Sequence, residues 1–347
     1  HNPARDNGMK FCLSGAKPIG EDTGLEDIRS MADAGLPAAA TVGSVSHRDL
    51  LDAYADHVVS FVDTSRLRPL RVVADTANGM GGLVAPEVFA RLPFDLEVRY
   101  PELDGTFPNH PADPIQPENL VDLQRRVLET GADIGLAFDG DADRVFLVDE
   151  KAQPLPGSTT TAMVAAAMLD KHPGATILYN LICSKAVPEV VKERGGTPLR
   201  TRVGHSFIKE RMAETGAVFG GEHSGHYYFL DNYRADSGLI AAVVVLEALC
   251  ASGEALSAVR RPFERYALSG EINTAVDDPG AVIERVAAHF AGGDQDRLDG
   301  LTVDYGTWWF NLRPSNTEPL LRLNLEAATP EERDVRVPEV LRILKGE

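Results

Sequence analysis

Ile134-Gly135-Leu136-Ala137-Phe138-Asp139-Gly140-Asp141-Ala142-Asp143-Arg144-Val145-Phe146-Leu147-Val148 joins two apolar runs through a short acidic loop. Apolar runs of this length, bounded by polar turn residues, read as strand, tight loop, strand. Asp139, Asp141 and Asp143 occupy alternate positions, so in an extended loop their carboxylates can turn to one side. Three negative charges drawn together call for a cation, and hard divalent ions such as Mg²⁺ take an oxygen cage of this kind. A solvated acidic turn is the plain alternative. An EF-hand fits in part: the three aspartates fill its first, third and fifth positions and Glu150 its twelfth. However, Arg144 stands where the sharp turn needs glycine, and strand residues replace the flanking helices. The favoured reading is a metal loop between strands of an α/β sheet.

Outward from this loop the alternation of strands and helices continues. Upstream are a short strand over 9–13, a helix over 25–34, and a capping box at Ser46-His47-Arg48-Asp49. The helix after the box presents Leu50, Leu51, Tyr54, Val58 and Phe61 on one face. A buried strand over 71–75 then runs into the turn Asn78-Gly79-Met80-Gly81-Gly82 and an apolar helix. Pro117 starts a helix with Leu120, Leu123, Val127 and Leu128 inward, stopped by Gly131. Downstream, the turn-rich 154–157 opens a second unit. It has helices over 158–169, 186–194 and 206–214, strands over 176–179 and 197–201, and a core helix over 236–250. Gly131-Ala132 leads through a strand to the acidic loop, and Gly216-Ala217 leads through a shorter one to Glu222-His223-Ser224-Gly225-His226. The two units read as related copies, with chance similarity as the rival. From Phe263 the pattern changes to strands over 267–272, 301–304, 308–312 and 320–326 with helices over 279–291 and 330–344. Leu321, Leu323 and Leu325 alternate with Arg322, Asn324 and Glu326, which predicts a one-sided strand. The fold class expected is α/β: tandem related α/β domains with mixed or parallel sheets, followed by a smaller α+β domain.

The 347 residues carry 34 basic and 52 acidic groups, a net charge of −18, which argues against a nucleic-acid partner bound by general electrostatics. Basic groups at a phosphate site must then be local. Cys12, Cys183 and Cys250 lie far apart, which suits a reducing cytoplasm better than a disulfide scaffold. No secretory signal is expected, and the apolar stretch over 238–250 is too short to span a bilayer, so no membrane partner is expected. The chain opens without Met and reads as the middle of something longer.

Several further stretches carry chemistry. Arg313-Pro314-Ser315-Asn316-Thr317-Glu318-Pro319 offers a guanidinium, hydroxyls, an amide and successive main-chain N–H groups, which suit a phosphate. A surface turn fits the same residues. Glu222 and Ser224, two apart in a glycine-flanked loop, could hold adjacent sugar hydroxyls, or the loop is a solvated hairpin turn. His205 and Lys209 fall four apart on one helix face. Asn78 to Gly82 lacks the spaced glycines of a dinucleotide loop and reads as a tight turn. Gly8 suggests a turn presenting Lys10, which can transfer protons if its pKa is lowered.

Together these stretches resemble the α-D-phosphohexomutase family, in particular the bacterial phosphomannomutase/phosphoglucomutase type. The opening His1-Asn2-Pro3 through Asn7-Gly8-Met9-Lys10 is similar to the tail of that family's catalytic loop. The acidic loop is similar to its metal loop, Glu222 to Ser224 to its sugar loop, and Arg313 to Thr317 to its phosphate loop. The resemblance implies a reversible transfer between mannose or glucose 1- and 6-phosphates. A phosphoserine just upstream of His1 would be the donor, and hexose 1,6-bisphosphate the intermediate and activator. It implies Mg²⁺ on Asp139, Asp141 and Asp143, and catalytic roles for Lys10, His1 and Arg144. Glu222 and Ser224 would hold hydroxyls. Arg313, Ser315, Asn316 and Thr317 would hold the non-reacting phosphate, with His205 and Lys209 assisting. The division implied is 1–40 as the remnant of a first domain, 41–153, 154–260, and 261–347. Domain closure about a hinge over 260–263 and a cytoplasmic monomer or weak homodimer complete the expectation. A phosphoglucosamine mutase and a truncated, non-catalytic sugar-phosphate binder are the rivals.

Overall fold

The chain begins sparsely. β1 (Cys12–Leu13) pairs with β2 (Lys17–Pro18), and α1 (Leu25–Ala34) follows with no buried residue. The strand expected over 9–13 is thus only two residues long, because its sole partner among the described residues is the equally short β2. The computed structural model describes residues 8–20, 23–315 and 320–346. They fall into two units. One runs up to Pro154 and includes Tyr228–Gly253; the other takes Leu155–Tyr227 and the chain from Glu254 onward.

In the first unit, α2 (Leu51–Val59) buries Ala55 and Val58. The capping box at Ser46 does not form. Asp49 Oδ1 accepts the Leu51 N–H at 2.9 Å instead, and the helix starts there, leaving Leu50 exposed. Next come β3 (Arg71–Asp75), α3 (Gly81–Phe89), β4 (Asp95–Arg99), α4 (Val121–Thr130), β5 (Ile134–Phe138) and β6 (Val145–Asp149). The sheet order is β4–β3–β5–β6, parallel except for the antiparallel β5–β6 pair. β5 and β6 are buried throughout, which is why both read as unbroken apolar runs. β4 is the half-exposed edge, and its Asp-Leu-Glu-Val-Arg carries too little apolar signal to be foreseen. On α4, Leu123 and Val127 face the core, whereas Leu128, expected inward, is exposed.

The second unit repeats the plan. After α5 (Gly157–Lys171) come β7 (Thr176–Asn180), α6 (Ala186–Glu193), β8 (Thr197–Thr201), α7 (His205–Thr215) and β9 (Phe219–Gly221), and β10 (Tyr227–Phe229) begins at the last residue of this stretch of the unit. β8 and β9 flank β7 in parallel, as β4 and β5 flank β3. α4 ends on left-handed Gly131 and α7 on left-handed Gly216, each followed by Ala and a strand, so the echo in the sequence is a structural repeat. α8 (Gly238–Ser252) lies with the first unit, buried on almost every side and N-capped by Ser237, which accepts from Ile240 N–H.

The short α9 (Leu256–Val259) leads into β11 (Ala267–Ala275), α10 (Pro279–His289), β12 (Asp294–Asp296), β13 (Leu301–Asp304), β14 (Trp308–Pro314), β15 (Leu320–Ala327) and α11 (Pro330–Lys345). These strands form an antiparallel sheet in the order β11–β15–β14–β13–β12. Val286 and Val340 from α10 and α11 pack on Phe310, Leu321 and Leu323. β15 is not one-sided. Asn324 and Glu326 are buried too, because Glu326 Oε1 accepts from Trp309 Nε1 at 2.8 Å and from the Lys185 N–H at 3.0 Å. Among the described residues, no single helix is long and apolar enough to cross a membrane.

Candidate functional site

β5 ends at Phe138 and β6 begins at Val145, so the antiparallel pair holds both ends of the acidic loop. One oxygen each of Asp139, Asp141 and Asp143 lies within 4.8 Å of the others. Three hard oxygen donors at that separation fit Mg²⁺. Their environments differ. Asp139 is fully buried at the strand end, whereas the Asp141 side chain is 43% exposed. Arg144 holds Asp139 with two bonds, Nε to Oδ2 at 2.7 Å and N–H to Oδ1 at 3.1 Å. Burial nevertheless pushes the Asp139 carboxyl up to about 6, with the neighbouring aspartates adding to the shift and Arg144 opposing it.

Lys10 Nζ donates to Asp143 Oδ2 at 2.8 Å and to Asp141 Oδ2 at 3.3 Å. Burial works against its charge. The hydrogen bond to Asp143 and the charges of Asp143, Asp141 and Asp236 outweigh that and hold the ammonium above its usual range. The expected condition of a lowered pKa is therefore not met here, because the same carboxylates that position Lys10 also keep it protonated.

Behind the loop stands a supporting layer that the sequence reading missed. Gly79 packs against it so closely that a Cβ there would meet Gly140 O at 2.6 Å, and Met80 N–H donates to the same oxygen at 2.9 Å. This gives the tight turn over 78–82 its reason. Asn109 Nδ2 donates to Asn78 Oδ1 at 2.7 Å, and Asp113 Oδ1 lies 3.3 Å from Arg144 Nη1. At the end of β3, buried Asp75 accepts from Ala77 N–H at 3.0 Å and lies 3.2 Å from His110 Nε2. That hydrogen bond to Asp75 raises the His110 pKa against the effect of burial. The detectable signal was position: Asp75 and Asn180 end the parallel strands β3 and β7, where ligands gather in α/β sheets.

The second unit builds the corresponding loop from neutral donors. Glu222 is buried, and its Oε1 accepts from Gly204 N–H at 3.0 Å and from Asn180 Nδ2 at 3.2 Å. Gly157 lies under the loop, where a Cβ would meet His223 O at 2.1 Å. His223 Nδ1 is 2.9 Å from Ser158 Oγ, and burial lowers its pKa while Glu271 pulls it upward. Burial likewise lowers the Arg313 pKa, whereas Glu271, Asp299 and Glu222 support its charge and Arg322 opposes it. The sugar-loop and phosphate-loop residues of the sequence reading therefore share one electrostatic neighbourhood within this unit.

Of the sequence-derived residues, the structure brings Lys10, Asp139, Asp141, Asp143 and Arg144 together in the first unit. In the second it brings Glu222 beside Gly204, next to His205 at the start of α7, and within electrostatic reach of Arg313. Ser224 is half-buried in the Glu222 loop. Lys209 lies one turn along α7 from the exposed His205. Ser315 Oγ accepts from Arg322 Nη2 at 3.4 Å. His1, Asn316 and Thr317 lie outside the described residues.

Known proteins are similar to this chain in sequence and fold. The family model described as phosphoglucomutase/phosphomannomutase, alpha/beta/alpha domain II, matches residues 52–153. Domain III of the same description matches 156–266, and its C-terminal domain matches 271–343. A phosphomannomutase of Salmonella montevideo is 43% identical over 358 residues, covering 100% of this chain and 78% of that protein. A protein of Xanthomonas campestris pv. campestris (strain ATCC 33913) named phosphohexose mutases is 41% identical over 352 residues, covering 99% of this chain and 78% of its own length. Among solved structures, a phosphoglucomutase/phosphomannomutase family protein from Burkholderia thailandensis superposes with a TM-score of 0.81 at 32% identity, covering 92% of this chain and 69% of that one.

Proposed function

Because this chain belongs to the phosphoglucomutase/phosphomannomutase family and is a phosphohexose mutase, we propose that it interconverts the 1- and 6-phosphates of mannose and glucose through a phosphoserine immediately before His1. The serine-bound phosphoryl group would pass to the free sugar hydroxyl, giving a hexose 1,6-bisphosphate. That intermediate reorients and returns its other phosphoryl group to the serine. The observation that carries the reading is the convergence of Asp139, Asp141 and Asp143 within 4.8 Å.

Those three carboxylates would hold Mg²⁺, whose charge stabilises the oxygens of a phosphoryl group in transfer. Arg144 keeps Asp139 aimed by gripping both of its oxygens. Lys10, held in its protonated form, is equipped to give a proton to the leaving serine oxygen, with His1 as the second acid/base group. Glu222 and Ser224 bind sugar hydroxyls. Arg313, Ser315, Asn316 and Thr317 bind the phosphate that is not transferred, with His205 and Lys209 assisting. In this reading, 41–153 carries the metal loop, 154–260 the sugar loop and 261–347 the phosphate loop. The enzyme works in the cytoplasm as a monomer or weak homodimer.

The test is the intact mass of the protein isolated from its source. A form heavier by about 80 Da, the mass of one phosphate, with the phosphate mapped to a serine adjoining His1, is expected. A protein that is never phosphorylated there, yet turns over hexose phosphates, would overturn the mechanism.

A further inference from the structure

Against His223 of the Glu222 loop, the second unit has a small cavity of about 10 Å³, whose lining includes Ile182, His223, Gly270, Trp309, Asn324 and Glu326. A volume on that order has room for a single water. The sheet opens it. β11 pairs with β15 at Leu268–Glu326 and at Glu271–Asn324, so between these pairs Ser269 and Gly270 stand opposite Leu325 alone. A bulge of this kind interrupts the ladder and bends the strand. Gly270 takes the left-handed backbone it needs, with φ 69°. Ser269 Oγ accepts the Leu325 N–H at 2.9 Å.

Asn324 and Glu326, two apart on β15, share one face of the sheet and are 6% and 1% exposed. Glu326 Oε1 is well supplied, by Trp309 Nε1 at 2.8 Å and the Lys185 N–H at 3.0 Å. Glu326 Oε2 and Asn324 Nδ2 are buried and have no hydrogen-bond partner among the described residues. A buried acceptor and a buried donor at one cavity are costly unless something joins them. They do not bond each other, so the group that joins them has to donate and accept at once, as water does. His223 supplies a third partner. Ser158 Oγ accepts the Ser184 N–H at 3.1 Å and lies 2.9 Å from His223 Nδ1, to which its own hydrogen can go. Burial favours the neutral ring. A neutral imidazole that accepts at Nδ1 carries its proton on Nε2, and that donor is the one His223 has left for the cavity it lines.

We propose that one resident water binds in this cavity, accepting from Asn324 Nδ2 and His223 Nε2 and donating to Glu326 Oε2, and that Glu326 is thereby a positioning residue for the loop that carries Glu222 and Ser224. The inference rests on the reading of that loop as the sugar loop. Three hydrogen bonds are what a buried water ordinarily makes. Glu326 fixes the water, the water fixes one edge of the ring, and Ser158 fixes the other. The His223 carbonyl is seated as well, since it lies where a Cβ on Gly157 would be, 2.1 Å away. The main chain between Glu222 and Ser224 is then held from both sides, and a strand at the far end of this unit's chain sets how the loop is presented.

The experiment is nitrogen-15 NMR of the intact protein labelled at histidine and tryptophan, with the His223 signals identified by their loss in His223→Gln. The parent protein is expected to show a bare Nδ1 and a proton on Nε2 that exchanges with solvent about tenfold or more slowly than that of an exposed histidine. In Glu326→Gln the amide oxygen has to stay with Trp309 and Lys185, so its NH₂ faces the cavity and the water meets donors only. The protection of His223 Nε2–H should be lost, while the Trp309 Nε1–H signal stays in place as the sign of an intact fold. Asn324→Leu expels the water, leaves the Glu326 bonds alone and should do the same; where Glu326→Gln also displaces Trp309, Asn324→Leu decides. With mannose 1-phosphate, both variants should raise KM about three- to tenfold, the worth of one hydrogen bond, with kcat within about twofold. A His223 proton on Nδ1 in the parent protein, or an unchanged Nε2–H in the variants, would overturn the proposal. Glu222→Gln separates it from the parent reading. If KM rises in Glu222→Gln and not in Glu326→Gln or Asn324→Leu, only the inference fails. If it rises in none, the sugar loop itself is misassigned.

Discussion

The acidic loop of the first unit and the Glu222 loop of the second stand at corresponding places in a repeated plan. Each follows a helix closed by a left-handed glycine, an alanine and a strand, and each rests on a glycine that lets another backbone approach. Their chemistry differs. The acidic loop gathers three carboxylates and balances them with cations, Arg144 from within and Lys10 from outside. The Glu222 loop buries one carboxylate and satisfies it with a main-chain N–H and the Asn180 amide. The scaffold therefore sets where a loop is presented, and in the proposed function the loop residues set what it would receive: a cation with a transferring phosphoryl group in one case, neutral hydroxyls in the other.

Substitutions can break this comparison. The largest effect is expected from Asp141→Asn, which removes a half-exposed ligand and should lower kcat about 10³-fold with the melting temperature almost unchanged. Glu222→Gln should lower kcat/KM about 10- to 100-fold without altering the Mg²⁺ dependence, measured by steady-state kinetics across a Mg²⁺ series. Equal Mg²⁺ sensitivity in the two variants would erase the distinction. Stability sharpens the comparison. Asp139→Ala leaves the buried Arg144 without its main partner and should destabilise the protein by about 3–5 kcal/mol in urea unfolding. Glu222→Ala removes the acceptor of the Gly204 N–H and the Asn180 amide and should lose about 1–3 kcal/mol.

The smallest effect belongs to His110 behind the acidic loop. Its folded pKa is raised above 6.5, chiefly by the hydrogen bond to Asp75. The stabilisation is therefore fully present below about pH 6.5 and is lost as pH rises through the folded value. Tyr100, Arg99 and Asp122 complete its surroundings. Melting temperatures between about pH 6 and 8.5 should fall more in the parent protein than in His110→Gln, and parallel profiles would remove His110 from the account.

Much of the fold was legible because its strands are unambiguous. Arg71–Asp75, Ile134–Phe138 and Leu301–Asp304 stand where the apolar residues placed them, and Thr197–Thr201 where the strand–helix alternation did. β4 and β12 escaped notice, since both are polar and largely unburied. Leu128 and Glu326 show the limit of periodicity. Which face is buried depends on what packs there, and a Trp and a main-chain N–H convert a polar strand face into a buried one. The loops that carry charge were visible in the sequence, because their residue types are unusual and close together. Asn180, His110, Glu271 and Arg322 were not, because each acts with groups tens of residues away.

The most direct test of the central claim is phosphorus NMR of mannose 1-phosphate mixed with the intact protein. In the presence of Mg²⁺ the signal should convert to mannose 6-phosphate. It should stay unconverted after chelation, and also in Asp141→Asn at matched folding. Conversion that persists in Asp141→Asn or without divalent metal would contradict the assignment of the acidic loop.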